Sequence, residues 1–112
     1  TIPEMLQHMI DTERVFAYRA LCFARQDKTS LPSFDENSYA DHSGANRRDW
    51  YDLIEEFKAV RRSTEILFRS FNKKQLETVG IANQHPVSVM AMGFVIAGHV
   101  NHHLRILKER YL

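Results

Sequence analysis

The chain has 112 residues, of which 44% are hydrophobic and 26% charged, enough apolar material for one core and too much for a disordered chain. Fifteen basic residues against fourteen acidic ones leave a net charge of +1, and the pairs Arg47-Arg48 and Arg61-Arg62 are too few for the stripe that a phosphate backbone requires, so nucleic acid is not an expected partner. The single cysteine, Cys22, excludes an internal disulfide, and no signal peptide or membrane-spanning apolar run is present, so a cytoplasmic, single-domain protein spanning 1–112 is expected.

The first helix is predicted from Pro3 to Arg25. Thr1 and Glu4 have capping-box spacing, Pro3 suits the first turn, and Asp27 begins a polar exit. Leu6, Met9, Ile10, Phe16, Ala20 and Ala24 share one broad apolar arc. Because the chain opens at Thr1 on a helix start, a segment preceding it is expected in the intact protein. From Asp27 to about Asn46 the sequence is rich in Asp, Ser, Asn, Pro and Gly without a sustained period. It reads as a long surface loop pinned by Leu31, Phe34 and Tyr39, and loops of this length often carry function.

The second helix is the clearest element. Trp50, Leu53, Ile54, Phe57, Val60, Thr64, Leu67, Phe68 and Phe71 recur at three- and four-residue steps, against Glu55, Glu56, Lys58, Arg61 and Arg62 outside. A helical turn over Lys73 to Glu77, closed by Gly80, and a connector from Ile81 to Pro86 should follow. The last helix is predicted from about Ser88 to Arg110. Three such amphipathic helices imply an all-α antiparallel bundle, and their broad apolar faces call for a fourth helix, from a preceding segment or a partner chain.

On the last helix Met92, Val95, Ile96, Ile106 and Leu107 mark the inward arc, with His103 near its middle and His99 within it. Residues four apart lie one above the other, so both imidazoles can close on one metal ion. His102 is also one turn from His99; spacing leaves both open, and the apolar neighbours favour His103. A single histidine on such a face is usually a hydrogen-bonded core residue, but two stacked in an aliphatic stripe lack partners. His8, beside the apolar arc of the first helix, is the third candidate ligand, because a site inside a bundle draws on facing helices. Asp11 and Glu13 could hold an imidazole tautomer, or be simply solvated. His42 and His85 read as surface residues.

Other chemistries lack their residues. There is no Gly-rich phosphate loop, nucleophile elbow, Cys-x-x-Cys pair or His-Glu-x-x-His pattern, and no symmetric carboxylate-histidine pair for a di-iron centre. Cys22 lies mid-helix among apolar residues and reads as a packed thiol.

The segment Leu6-Gln7-His8-Met9-Ile10-Asp11-Thr12-Glu13-Arg14, the loop Leu31 to Tyr39 and the ending Gly98-His99-Val100-Asn101-His102-His103-Leu104-Arg105-Ile106-Leu107-Lys108-Glu109-Arg110-Tyr111-Leu112 together resemble the DinB-like family. That wider group contains the bacillithiol transferases and the mycothiol-dependent maleylpyruvate isomerases. The resemblance implies a DinB-type four-helix bundle, with the first family helix missing from this chain. It also implies a divalent ion, zinc or nickel, on His8, His99 and His103. It favours transfer of a low-molecular-weight thiol cosubstrate to an electrophilic small molecule, with metal-dependent hydrolysis as the alternative and a non-catalytic bundle with a structural metal as the competing class. A divalent ion with neutral ligands would lower the pKa of a water or thiol that joins it. Asp11, Glu13 and Tyr39 are the candidate bases, and a homodimer is an expected assembly.

Overall fold

The computed structural model describes residues 1–111. The sequence forms α1 over Ile2–Ala24, α2 over Glu36–Asp41, a single 3-10 turn over Ala45–Arg47, α3 over Trp50–Arg69, α4 over Lys73–Glu77, strands β1 (Val79–Ala82) and β2 (His85–Ser88), and α5 over Val89–Tyr111. The starts of α1, α2, α3 and α4 are capped by side chains of the expected kind. Thr1 accepts from the Glu4 amide, Asp35 from Asn37 and Ser38, and Asp49 from Tyr51, while Asn72 and Gln75 form a reciprocal capping box.

The helix α1 is central, packed along both α3 and α5. Its apolar arc feeds two clusters. Leu6, Met9 and Ile10 meet Leu53, Val60 and Val100, and Ala20, Phe23 and Ala24 meet Phe71, Ala82, Val89, Met92 and Ile96. Two expected inward residues are exposed instead, Trp50 at 41% and Val95 at 46%. The placement expected of Leu107 lies outside the described residues. Between α3 and α5 an apolar groove of about 330 Å³ opens, bordered by Phe68, Leu76, Met90 and Phe94.

One arginine of each pair is held by a glutamate of α1 or α3. Arg61 Nη1 donates to Glu13 Oε1 at 2.9 Å, Arg48 Nη1 donates to Glu56 Oε1 at 2.6 Å, and Arg14 Nη2 donates to Glu56 Oε2 at 2.9 Å. Hydrogen bonds from Arg48 first, and then from Arg14, hold the Glu56 carboxyl below the usual range.

Two segments differ from their sequence expectations. The Asp27 to Asn46 stretch contains α2 and the 3-10 turn, and Leu31 does pin it: its amide donates to the Ile81 carbonyl at 2.9 Å and its carbonyl accepts from Asn83 at 3.0 Å. The stretch from Val79 to Ser88 is a hairpin rather than a cap and connector, with Val79 paired to Ser88 and Ala82 to His85. Asn83 and Gln84 turn it with φ of 51° and 65°, a type I′ arrangement in which both central residues are left-handed. Gly80 closes no helix. A Cβ there would fall 2.0 Å from Cδ1 of Phe23, so glycine is required where the strand crosses that ring.

Candidate metal centre

His8 comes from the first half of α1, His99 and His103 from the middle of α5, and the antiparallel packing of the two helices brings them together. His8 Nε2 lies 3.2 Å from His99 Nε2, which lies 3.0 Å from His103 Nε2. One ligand atom from each of the three falls within 4.8 Å of the others. The rings meet edge to face, with centroids 4.4 to 5.0 Å apart. The cluster could hold a metal ion.

Hydrogen bonding alone leaves this arrangement unsatisfied. An Nε2 offers one lone pair or one N–H, so that of His99 makes one good bond where two neighbours face it. A cation at the centre would satisfy all three lone pairs. Zinc–imidazole bonds of about 2.0–2.1 Å at tetrahedral angles separate two ligand nitrogens by about 3.4 Å, close to the spacings here. Among the described residues the cluster contains no fourth ligating side chain, which leaves room for an exogenous one.

The electrostatics favour the neutral, metal-binding form. Burial, with the neighbouring charges on His103, His8 and His102 adding to it, pushes the His99 pKa down from 6.5 to about 4. The His103 pKa is lowered by burial and by His8 and His102, against an opposing pull from Glu36, which stands in the first turn of α2. The loop that looked unstructured in the sequence thus carries a carboxylate whose charge acts on His103.

The group around the histidines is not the one anticipated. Neither Asp11 nor Glu13 holds an imidazole. Asp11 accepts from Gln7 one turn earlier, and Glu13, five residues past His8 and so about 140° around the helix, faces Arg61 on α3. Tyr39 stacks edge to face on Phe34, with ring centroids 5.1 Å apart, and makes no hydrogen bond to the cluster. The residue that does reach a histidine is Thr12, fully buried, whose Oγ1 is 3.4 Å from His8 Nδ1. Its position one turn after His8 was the available signal. The Nδ1 of His103 is buried without a hydrogen-bond partner among the described residues. His102 stays exposed beside His103, outside the cluster, as its edge position on the wheel implied. His42 and His85 are exposed, His42 with Nδ1 2.8 Å from the Ser38 carbonyl.

The model of the DinB superfamily matches residues 1–107. No curated protein matches the chain in sequence. Among solved structures, YfiT from Bacillus subtilis superposes with a TM-score of 0.76 at 10% identity, over 97% of this chain and 66% of YfiT. The chain therefore spans just under two thirds of that protein's length. YfiT is described as a probable metal-dependent hydrolase with an unusual four-helix bundle topology. Identity at that level marks a shared fold.

Proposed function

The chain belongs to the DinB superfamily, and on that premise we propose that it is a metal-dependent enzyme acting on small molecules, with a divalent ion, zinc or nickel, held by His8, His99 and His103. The observation that carries this reading is the convergence of three Nε2 atoms from two facing helices, with no fourth protein ligand in the described cluster. A divalent ion on three neutral imidazoles supplies Lewis acidity and makes a water or thiol beside it a nucleophile near neutral pH.

The chain's own residues set the conditions for that chemistry. His99 and His103 are held toward their neutral forms by burial and by repulsion from neighbouring imidazoles. With a metal on His8 Nε2, the Nδ1–H of His8 would have the Thr12 hydroxyl, 3.4 Å away, as its acceptor. The Phe16 ring lies edge to face beside His99, 6.3 Å between centroids, and the charge of Glu36 acts on His103.

Transfer of a low-molecular-weight thiol to an electrophilic small molecule is supported by the resemblance in the first helix, the loop and the last helix. Hydrolysis is the second reading, and the description of YfiT favours it. Cobalt substitution distinguishes them. A visible spectrum perturbed by low-molecular-weight thiols, together with turnover of electrophiles, supports transfer. Ester or amide turnover with a spectrum unmoved by thiols supports hydrolysis, and a cobalt centre inert to both contradicts an enzymatic role.

A further inference from the structure

Among the described residues, Arg19 is the most deeply buried arginine, and its charge is unaccounted for. It stands on α1 eleven residues after His8, three turns on, and so on the same strip of the helix. The residue is 8% exposed. A guanidinium taken from water needs hydrogen bonds and a counter-charge. Arg19 has part of the first: Nη2 donates to the Pro32 carbonyl at 2.8 Å, and Cζ lies 5.5 Å from the centroid of Phe16 and 5.9 Å from that of Phe34. Among the described residues it forms no ion pair. Arg48 and Arg61 have side chains 32% and 27% exposed, yet each is paired with a glutamate. Burial lowers the Arg19 pKa, as expected of a cation lacking a counter-charge, although a guanidinium remains protonated at neutral pH.

Arg19 lines an open cavity of about 330 Å³ between α1 and the 31–39 loop, with Tyr18, Ser33, Phe34 and Tyr39 in its walls. That volume is within the range of small-molecule sites. No acidic residue lines it, and its other cation, Arg14, is already bonded to Glu56. The cavity therefore offers one uncompensated positive charge among aromatic rings. Phe16 connects it to the histidines, its ring centroid being 6.4 Å from that of Phe34 and 6.3 Å from that of His99.

We propose that Arg19 binds the carboxylate of a small aromatic or otherwise planar organic acid in this cavity, one aromatic ring away from the histidine cluster. The fork of N–H donors on a guanidinium matches the two oxygens of a carboxylate. A single free cation matches a monoanion better than a phosphate dianion, and Phe34 and Tyr39 suit a flat apolar body. The identification of such an acid as the substrate rests on the metal-dependent reading above; its binding at Arg19 does not.

Benzoate is the probe, with benzamide as its neutral isostere, titrated calorimetrically into metal-free protein and into its Arg19→Met, Arg19→Lys and His103→Ala variants. Charged hydrogen bonds of this kind predict that Arg19→Met weakens benzoate by about tenfold or more, and Arg19→Lys by less. His103→Ala should leave it unchanged, and benzamide should bind more weakly than benzoate. Should Arg19→Met not fold, the loss of the fork in Arg19→Lys carries the comparison, with an unchanged affinity counting against the proposal. Undetectable benzoate binding, equal binding of benzamide, or binding that survives Arg19→Met overturns it. Binding abolished by His103→Ala overturns it too, because the acid would then sit on the histidines. Since all arms use metal-free protein, a failure of the metal reading leaves the result interpretable.

Discussion

His8 and His99 are 91 residues apart in the chain, yet their Nε2 atoms lie 3.2 Å apart across the interface of α1 and α5. That contact joins the two longest helices at a point where the neighbouring residues Met9 and Val100 are apolar and buried, and the half-buried imidazoles have one another and Thr12 as their nearest polar neighbours.

Thr12→Val removes the hydroxyl at nearly constant volume. Loss of a group that orients a ligand typically costs 10–100-fold in metal affinity, and a zinc dissociation constant raised by about tenfold is expected. Thr12→Ser, which keeps the hydroxyl, should restore most of it. Competition with a chromophoric chelator measures both, and equal affinities in all three proteins would show that Thr12 only fills space.

Removing Arg61 should be worse than neutralising Glu13. Glu13 is 2% exposed, its Oε1 is held by Arg61, and its Oε2 has no partner among the described residues. Arg61→Leu strands a buried carboxylate and is expected to destabilise by about 3 kcal/mol, whereas Glu13→Gln removes the charge along with its cost. Urea denaturation of the two variants checks the order.

In the metal-free protein, stability should rise with pH between about 4 and 6.5. His99 has a folded pKa near 4 and an ordinary value of 6.5, so within that window the unfolded chain binds more protons and acid favours unfolding. Lowering of the His103 pKa acts in the same direction. The trend should flatten in His99→Ala, as measured by denaturation midpoints across the range. Glu56, whose folded pKa is depressed, adds stability that is lost as the pH falls further.

Gly80→Ala places a methyl where Phe23 lies and, as an overpacked core position, should cost about 1–3 kcal/mol. Thermal unfolding of Gly80→Ala alone and combined with Phe23→Leu measures it; relief of the penalty in the double variant is the expected result.

The long helices were legible because their apolar periods are long and their caps ordinary. Thr1, Asp49 and the stripe from Leu53 to Phe71 state their own boundaries. The convergence of His8, His99 and His103 was legible for the same reason, since helical spacing and an antiparallel pair leave few alternatives. The hairpin was not. Its turn uses Gln84, a residue that rarely takes positive φ, and Pro86 sits in β2, where a two-stranded ribbon tolerates it because every strand is an edge. The six-residue α2 is too short to show a period, although Asp35 capped it in plain view. Arg19 gave no signal either: its neighbours Phe16 and Pro32 become its partners only when the loop folds back on α1.

Metal content by mass spectrometry, on untagged protein and its His103→Ala and His102→Ala variants, tests the central claim most directly. Near-stoichiometric zinc or nickel, lost in His103→Ala and kept in His102→Ala, is the predicted result. Metal-free protein that also fails to take up either ion, or content that follows His102 rather than His103, would contradict it.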